Sequence, residues 1–175
     1  FTWFYDWNHG TSRTRDFVKR NLDHWVQNYH IDGFRWDFTQ GLVQQQGVDG
    51  GYNAQRIQWL KEYGDHVWAQ DPSVYMILEH WCDFNEEMEL ANYNGANGVN
   101  SPGFMLWTNA THGYQEASMG YSGNDIGWAN FQSHSFQDRH AVAYAESHDE
   151  ERLMYKNLQF GNSNGDYDAS DETIA

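Results

Sequence analysis

Val74-Tyr75-Met76-Ile77-Leu78-Glu79 is the stretch on which the fold turns. Five consecutive apolar residues are too short a run for a core helix. An unbroken run of this kind predicts a strand covered on both faces, as in a parallel sheet lying between helices. Asp71-Pro72 punctuates the chain just before it, and an acid, Glu79, stands at its C-terminal end.

Working upstream, Ile57, Leu60, Gly64 and Val67 fall on one side of a helical pattern, after a Gln/Gly-rich loop over residues 40–52. Before that loop, Phe34-Arg35-Trp36-Asp37-Phe38 alternates large apolar and charged residues. That period-2 pattern predicts a strand with Arg35 and Asp37 on one face. Val18, Leu22, Trp25, Val26 and Tyr29 then mark one face of a helix from Ser12 to Tyr29. Downstream come a polar helical pattern over 84–93, a short apolar segment at 104–107 and an irregular region rich in Gly, Asn and Ser. Ala141-Val142-Ala143-Tyr144-Ala145 reads as another buried strand, followed at once by Glu146-Ser147-His148-Asp149. The polar tail over 162–172 reads as a loop feeding a helix N-cap near Asp168 or Ser170. Strands alternating with helices give the α/β class, and 175 residues suit one domain.

Composition narrows the partners. Ten Lys and Arg stand against 25 Asp and Glu, a net charge of −15, which repels nucleic acid and anionic membrane surfaces. No apolar run approaches the length that spans a bilayer. Aromatic residues make up 17% of the chain, with nine Trp, and such rings either fill a core or offer flat apolar faces to a neutral ligand such as a sugar. Cys82 is the only cysteine, so no internal disulfide and no Cys-x-x-Cys pair can form.

Three carboxylates, Asp37, Glu79 and Asp149, stand at the C-terminal ends of predicted parallel strands, where α/β barrels carry their chemistry. Any one of them alone would be read as a helix cap or a solvated loop acid. Arg35, on the same face as Asp37, would keep that carboxylate ionised, as a nucleophile requires. Glu79 follows five apolar residues and precedes Trp81, so desolvation should favour its protonated form, as a general acid requires. Two such groups about 5 to 5.5 Å apart would fit double displacement through a covalent glycosyl-enzyme.

Gly33-Phe34-Arg35-Trp36-Asp37 resembles the second conserved region of the α-amylase superfamily, a family of retaining glycoside hydrolases. Leu78-Glu79-His80-Trp81 is similar to its third region and Ser147-His148-Asp149-Glu150 to its fourth. The resemblance spans roughly residues 17–152, with the three motifs in order. It implies a partial (β/α)8 TIM barrel, about strands four to seven with their helices, so that the chain is the central part of one catalytic barrel domain, cut at both ends. Asp37 would be the nucleophile, Glu79 the acid/base and Asp149 the transition-state stabiliser, with Arg35, His148 and Trp81 binding substrate. The implied partner is an α-glucan such as starch, glycogen or a maltooligosaccharide, cleaved at α-1,4 bonds.

Two features of the resemblance pull apart. Glu-His-Trp looks like an amylase, whereas Ser-His-Asp-Glu is the form familiar from glycogen branching enzymes, which pass the glycosyl group to a sugar hydroxyl instead of water. A secreted or periplasmic location goes with the first reading and a cytoplasmic one with the second. The family's first conserved region is absent, and Gln40 and Gly41 stand where hydrolases of the family often carry Lys and His. Calcium is therefore implied only as a possible ligand of the full-length protein, and no other cofactor is expected.

Two readings of other classes compete. His148-Asp149 is a metal-binding dipeptide in some phosphohydrolases, and His80 and His112 could add ligands, but no close-spaced histidine set supports it. A glycan-binding protein without catalysis is compatible with the aromatic content, and half a barrel with bare edges should show no turnover by itself. Trp36 and Tyr144 are expected to pack in the core; Trp81 is the ring best placed to touch sugar, with Trp107 also near a motif. Asn162, Asn164, Asp166 and Asp168 lack the sixth-position Gly of an EF-hand, so that stretch reads as a solvated loop.

Overall fold

Asn53 caps a helix by accepting hydrogen bonds on its side chain from the amides of Gln55 and Arg56 at 3.0 Å. Among the described residues, the helix that follows supplies more buried apolar side chains than any other element. The computed structural model describes residues 7–43, 50–122, 124–136, 140–164 and 168–171. These fall into two compact units, one ending at Leu106 and the other beginning at Trp107.

The first unit contains α1 (Ser12–Tyr29), β1 (Gly33–Trp36), α2 (Ala54–Trp68), β2 (Tyr75–Leu78), α3 (Phe84–Ala91) and the start of β3 (Met105–Asn109). β1 pairs parallel with β2, aligning Phe34 with Met76, Arg35 with Ile77 and Trp36 with Leu78. β2 pairs parallel with β3, aligning Ile77 with Met105 and Leu78 with Leu106. Ile57, Leu60 and Val67 of α2 are buried together with Met76, Leu78, Leu90 and Phe104, as the helical spacing predicts. Burial of each such side chain contributes about 1.5–3 kcal/mol. Trp36 stacks on Tyr63 of α2 with centroids 5.5 Å apart. Since paired residues of a parallel sheet point the same way, Phe34, Trp36, Met76 and Leu78 form the face turned to α2.

The opposite face corrects the expectation for β2. Met76 and Leu78 are buried, but Tyr75 is exposed and Ile77 only half-buried. The apolar run thus covers one face fully, and the other is the face that carries Arg35 and its neighbouring acids. α1 forms where predicted, from a Thr11 cap to a left-handed His30 that closes it onto the Val26 carbonyl. Of its expected apolar face only Leu22 is buried, while Trp25 and Tyr29 remain exposed.

The second unit contains the end of β3, α4 (Thr111–Ser118), β4 (Ala141–Tyr144) and α5 (Leu153–Phe160). The Ala110 amide donates to the Tyr144 carbonyl at 3.2 Å, continuing the ladder at the ends of β3 and β4. β4 is not the buried strand expected. Ala143 is exposed and the rest half-buried, because small residues alternate with Val and Tyr and leave little apolar surface to cover. The region read as irregular holds α4, and α5 was not anticipated. Asn157 joins them, donating to the Ser118 carbonyl and accepting from its hydroxyl. The helix expected after Ser170 lies outside the described residues, as do Asp166 and residues 44–49 of the Gln/Gly-rich loop. Asp168 folds back on Ser170, accepting from its amide and hydroxyl.

Candidate functional site

Where β1 ends, the chain leaves the ladder by a single left-handed residue, Phe38, with φ 46° and ψ 48°. The Glu79 amide still donates to the Trp36 carbonyl at 3.0 Å, but the Glu79 carbonyl is met by the amide of Thr39, one residue later than a regular ladder would use. The Phe38 amide so released donates to the Glu79 carboxylate at 3.1 Å. Arg35, Asp37 and Glu79 share one face, as β1's alternation and the parallel register require.

Arg35 bridges the two acids. One guanidinium nitrogen pairs with Asp37 and the other with Glu79 at 2.6 Å. The side chain of Asp37 is 68% exposed, that of Glu79 6%. Burial pushes the Glu79 carboxyl above the ordinary carboxylate range. The Phe38 amide and Arg35 act against this, and the charge of Asp37 and a hydrogen bond with it act in the same direction as burial. The balance favours the protonated form of Glu79. Beside Asp37 lies an open, mostly apolar groove of about 460 Å³, with Trp7, Phe17, Trp25 and Phe34 among its walls and Arg35 at its edge. Trp81 presents an exposed ring two residues beyond Glu79.

His148 and Asp149 lie in the second unit, both exposed, with the imidazole Nε2 3.3 Å from the Asp149 carboxylate. Their neighbour Glu150, to which the sequence reading gave no role, is the anchored acid there. It accepts from the Ser147 amide and hydroxyl, Tyr144 and Asn109. Burial would raise its pKa, but the hydrogen bonds from Ser147 and Tyr144 outweigh it and hold the carboxyl below the usual range. The Tyr144 ring also packs edge-on against Trp107 at 4.9 Å, so both rings serve packing.

A second polar set, missed in the sequence, lies buried under the Glu79 strand end. His80 contacts the Thr39 hydroxyl through Nδ1 and the Glu86 carboxylate through Nε2, both at 2.9 Å. Glu86 in turn takes two hydrogen bonds from Arg56 and one from the Asn53 amide. Arg56 and Glu86 are 0% exposed and His80 1%. The one available signal was an adjacent pair, His80 after Glu79, followed by the acidic first turn of α3.

Among the described residues, His80, Cys82 and Glu86 form one group close enough to share a metal ion. The donor set argues against one. The Arg56 guanidinium already neutralises Glu86 and lies 3.5 Å from the Cys82 sulfur, and burial pushes that thiol up to about 12. Calcium is no better served in the turn after β1, where the Gln40 carbonyl accepts from Arg56 at 2.5 Å, the Gly41 carbonyl accepts from Val43, and residues 39–43 contain no carboxylate. Those residues do not fit a calcium site.

No family model matches the chain. Over 108 residues, 61% of the chain, it is 32% identical to the 1,4-alpha-glucan branching enzyme GlgB of Bacillus caldolyticus. It is 30% identical to the protein of that name from Geobacillus stearothermophilus over 108 residues, and 28% identical to that from Bacillus cytotoxicus over 114 residues, 64% of the chain. The matches cover 16%, 17% and 17% of those proteins, so the chain spans about a sixth of the length of the curated relatives it matches. This similarity relates the chain to glucan branching enzymes, in line with the α-amylase resemblance of its three motifs.

Proposed function

We propose that this chain carries the reacting acids of a retaining, α-glucan-active enzyme of the α-amylase kind, set on about strands four to seven of a (β/α)8 barrel. The observation that carries the reading is the Arg35 bridge, which holds an exposed Asp37 and a buried Glu79, whose pKa burial raises, on one face beyond the ends of adjacent parallel strands. Glu79 gives its proton to the glycosidic oxygen while an Asp37 oxygen attacks the anomeric carbon, breaking the C–O bond and leaving a glycosyl ester. An acceptor hydroxyl then attacks that carbon, Glu79 takes its proton, and Asp37 is released. Asp149 stabilises the oxocarbenium-like charge, and Arg35, His148 and Trp81 bind substrate.

The acceptor decides between two outcomes. Water gives hydrolysis of α-1,4 bonds; a sugar 6-hydroxyl gives a branch. The names of the relatives favour transfer, and the Glu-His-Trp motif favours hydrolysis. Incubating the protein carrying this chain with amylose separates them: new reducing ends without branches mark hydrolysis, and α-1,6 linkages with little gain in reducing ends mark transfer. Near-wild-type turnover in Asp37→Asn or Glu79→Gln would sink the assignment of the acids.

A further inference from the structure

Glu79 is held at both ends by one short turn. Its carboxylate takes the Phe38 amide, and its carbonyl meets the Thr39 amide at 2.9 Å and the Thr39 hydroxyl at 2.7 Å. The turn is in turn tied down from below. Arg56 donates to the Gln40 carbonyl at 2.5 Å and to the Gly51 carbonyl at 2.8 Å, and the same guanidinium grips Glu86, which receives His80. All four side chains, Thr39, Arg56, His80 and Glu86, are buried, and the catalytic steps above use none of them.

The proton inventory gives this chain a direction. Burial, more than the opposing pull of Glu86, keeps His80 neutral, with one ring N–H. Glu86 is held ionised and can only accept, so that proton sits on Nε2. Nδ1 is then an acceptor, and it competes with the Glu79 carbonyl for the single hydroxyl proton of Thr39. The charged and titratable groups that face the ring are Glu86 from α3, Arg56 from α2 and Cys82 beside it; those that face Glu79 are Arg35 and Asp37.

We propose that Thr39 and His80 are positioning residues for the Glu79 carboxyl, anchored by the buried Arg56–Glu86 pair. The inference rests on the acid/base role assigned to Glu79 above. A rigid mount matters there because an acid displaced by about 1 Å loses roughly a hundredfold in rate. In the formation of the glycosyl-enzyme, the loss falls on substrates whose leaving oxygen needs its proton.

Thr39→Val tests this with little change of shape, and Thr39→Ser restores the hydroxyl. In the protein carrying this chain, Thr39→Val should lower kcat on a maltooligosaccharide roughly 10- to 100-fold with KM changed less than about twofold. Maltosyl fluoride, whose leaving group needs no protonation, should lose less than about threefold in kcat/KM, which reports formation of the glycosyl-enzyme and not the base-assisted second step, and Thr39→Ser should recover most of the deficit. Equal losses in kcat/KM on both substrates, or no loss on either, would overturn the positioning role. Absence of turnover by the wild type on both substrates would overturn the catalytic reading itself. In that event carbon-13 NMR of the Glu79 carboxyl still decides the mount: a titration midpoint and shift unchanged by Thr39→Val would overturn it, and a displaced midpoint would uphold it. One equivalent of zinc bound by the wild type and lost in Cys82→Ser would also overturn it, since a metal would then be holding His80.

Discussion

Replacing Arg56 by Met should destabilise the first unit more than any single surface change, because it removes the charge that neutralises a buried carboxylate. The guanidinium makes two hydrogen bonds to Glu86, at 2.6 and 2.8 Å, and one each to the carbonyls of Gln40 and Gly51. Methionine fills the stem volume but leaves Glu86 with only His80 and the Asn53 amide. Breaking a buried pair in this way costs about 3–5 kcal/mol. Proton linkage points the same way. Burial by itself would raise the Glu86 pKa, but His80, Arg56 and the Asn53 amide more than reverse it, taking it from 4.5 down to about 2. That fall corresponds to about 3 kcal/mol of folding free energy, shared among those partners. Because Glu86 binds its proton less readily folded than unfolded, this stabilisation is complete above about pH 4.5 and is lost as the pH falls toward 2. Urea unfolding followed by tryptophan fluorescence should therefore show the Arg56→Met midpoint lowered by at least roughly 1 M at pH 7, with the gap narrowing by pH 3. A midpoint within about 0.3 M of wild type at pH 7, or a gap that is constant from pH 7 to pH 3, would refute the reasoning.

Three further outcomes are expected. Asp37→Asn should lower the titration midpoint of Glu79, because Asp37's charge and hydrogen bond now favour the protonated form; a rise measured by carboxyl carbon-13 NMR would contradict that balance. Gly64→Ala would set a Cβ 2.6 Å from the Trp68 ring and 2.7 Å from Phe104, and should cost about 1–3 kcal/mol, read as a lower Tm; an unchanged Tm would mean the α2 packing is looser than described. Asn53→Ala should cost about 1 kcal/mol in urea unfolding by uncapping α2, while Asn53→Asp should cost less; equal losses would show that the cap is not what holds that helix end.

Local periodicity was enough to locate α1, α2, β1 and β2, because each has its own apolar spacing and a cap or turn to end it. The same period-2 alternation put Arg35 beside Asp37 and, through the length of the apolar run, left Glu79 at a strand end in a desolvating setting. The second grip of Arg35, on Glu79, was not legible, since it joins residues 44 apart in sequence through the register between two strands. The Thr39–His80–Glu86–Arg56 chain was hidden for the same reason. α4 was missed because Thr-His-Gly-Tyr-Gln-Glu-Ala-Ser has no apolar stripe and no side-chain cap at Ala110. Its Gly113 looks like a breaker, yet it is where the Asp125 backbone passes too close for a Cβ. β2 and β4 were expected to be buried on both faces because an apolar run records what a side chain tolerates and not what covers it.

Phe38 leaves the strand in a left-handed conformation, and its ring then lies over Gly41, in the space a Cβ at position 41 would enter. The two positions are therefore coupled choices. A side chain at 41 requires the Phe38 ring to swing aside, a smaller residue at 38 or a different turn, and a different turn would redirect the amide that Glu79 receives. A library that randomises position 41 alone should favour glycine, whereas joint randomisation of 38 and 41 should open new pairs. The acid's hydrogen bonding and the loop's sequence would then evolve together, as a single epistatic unit.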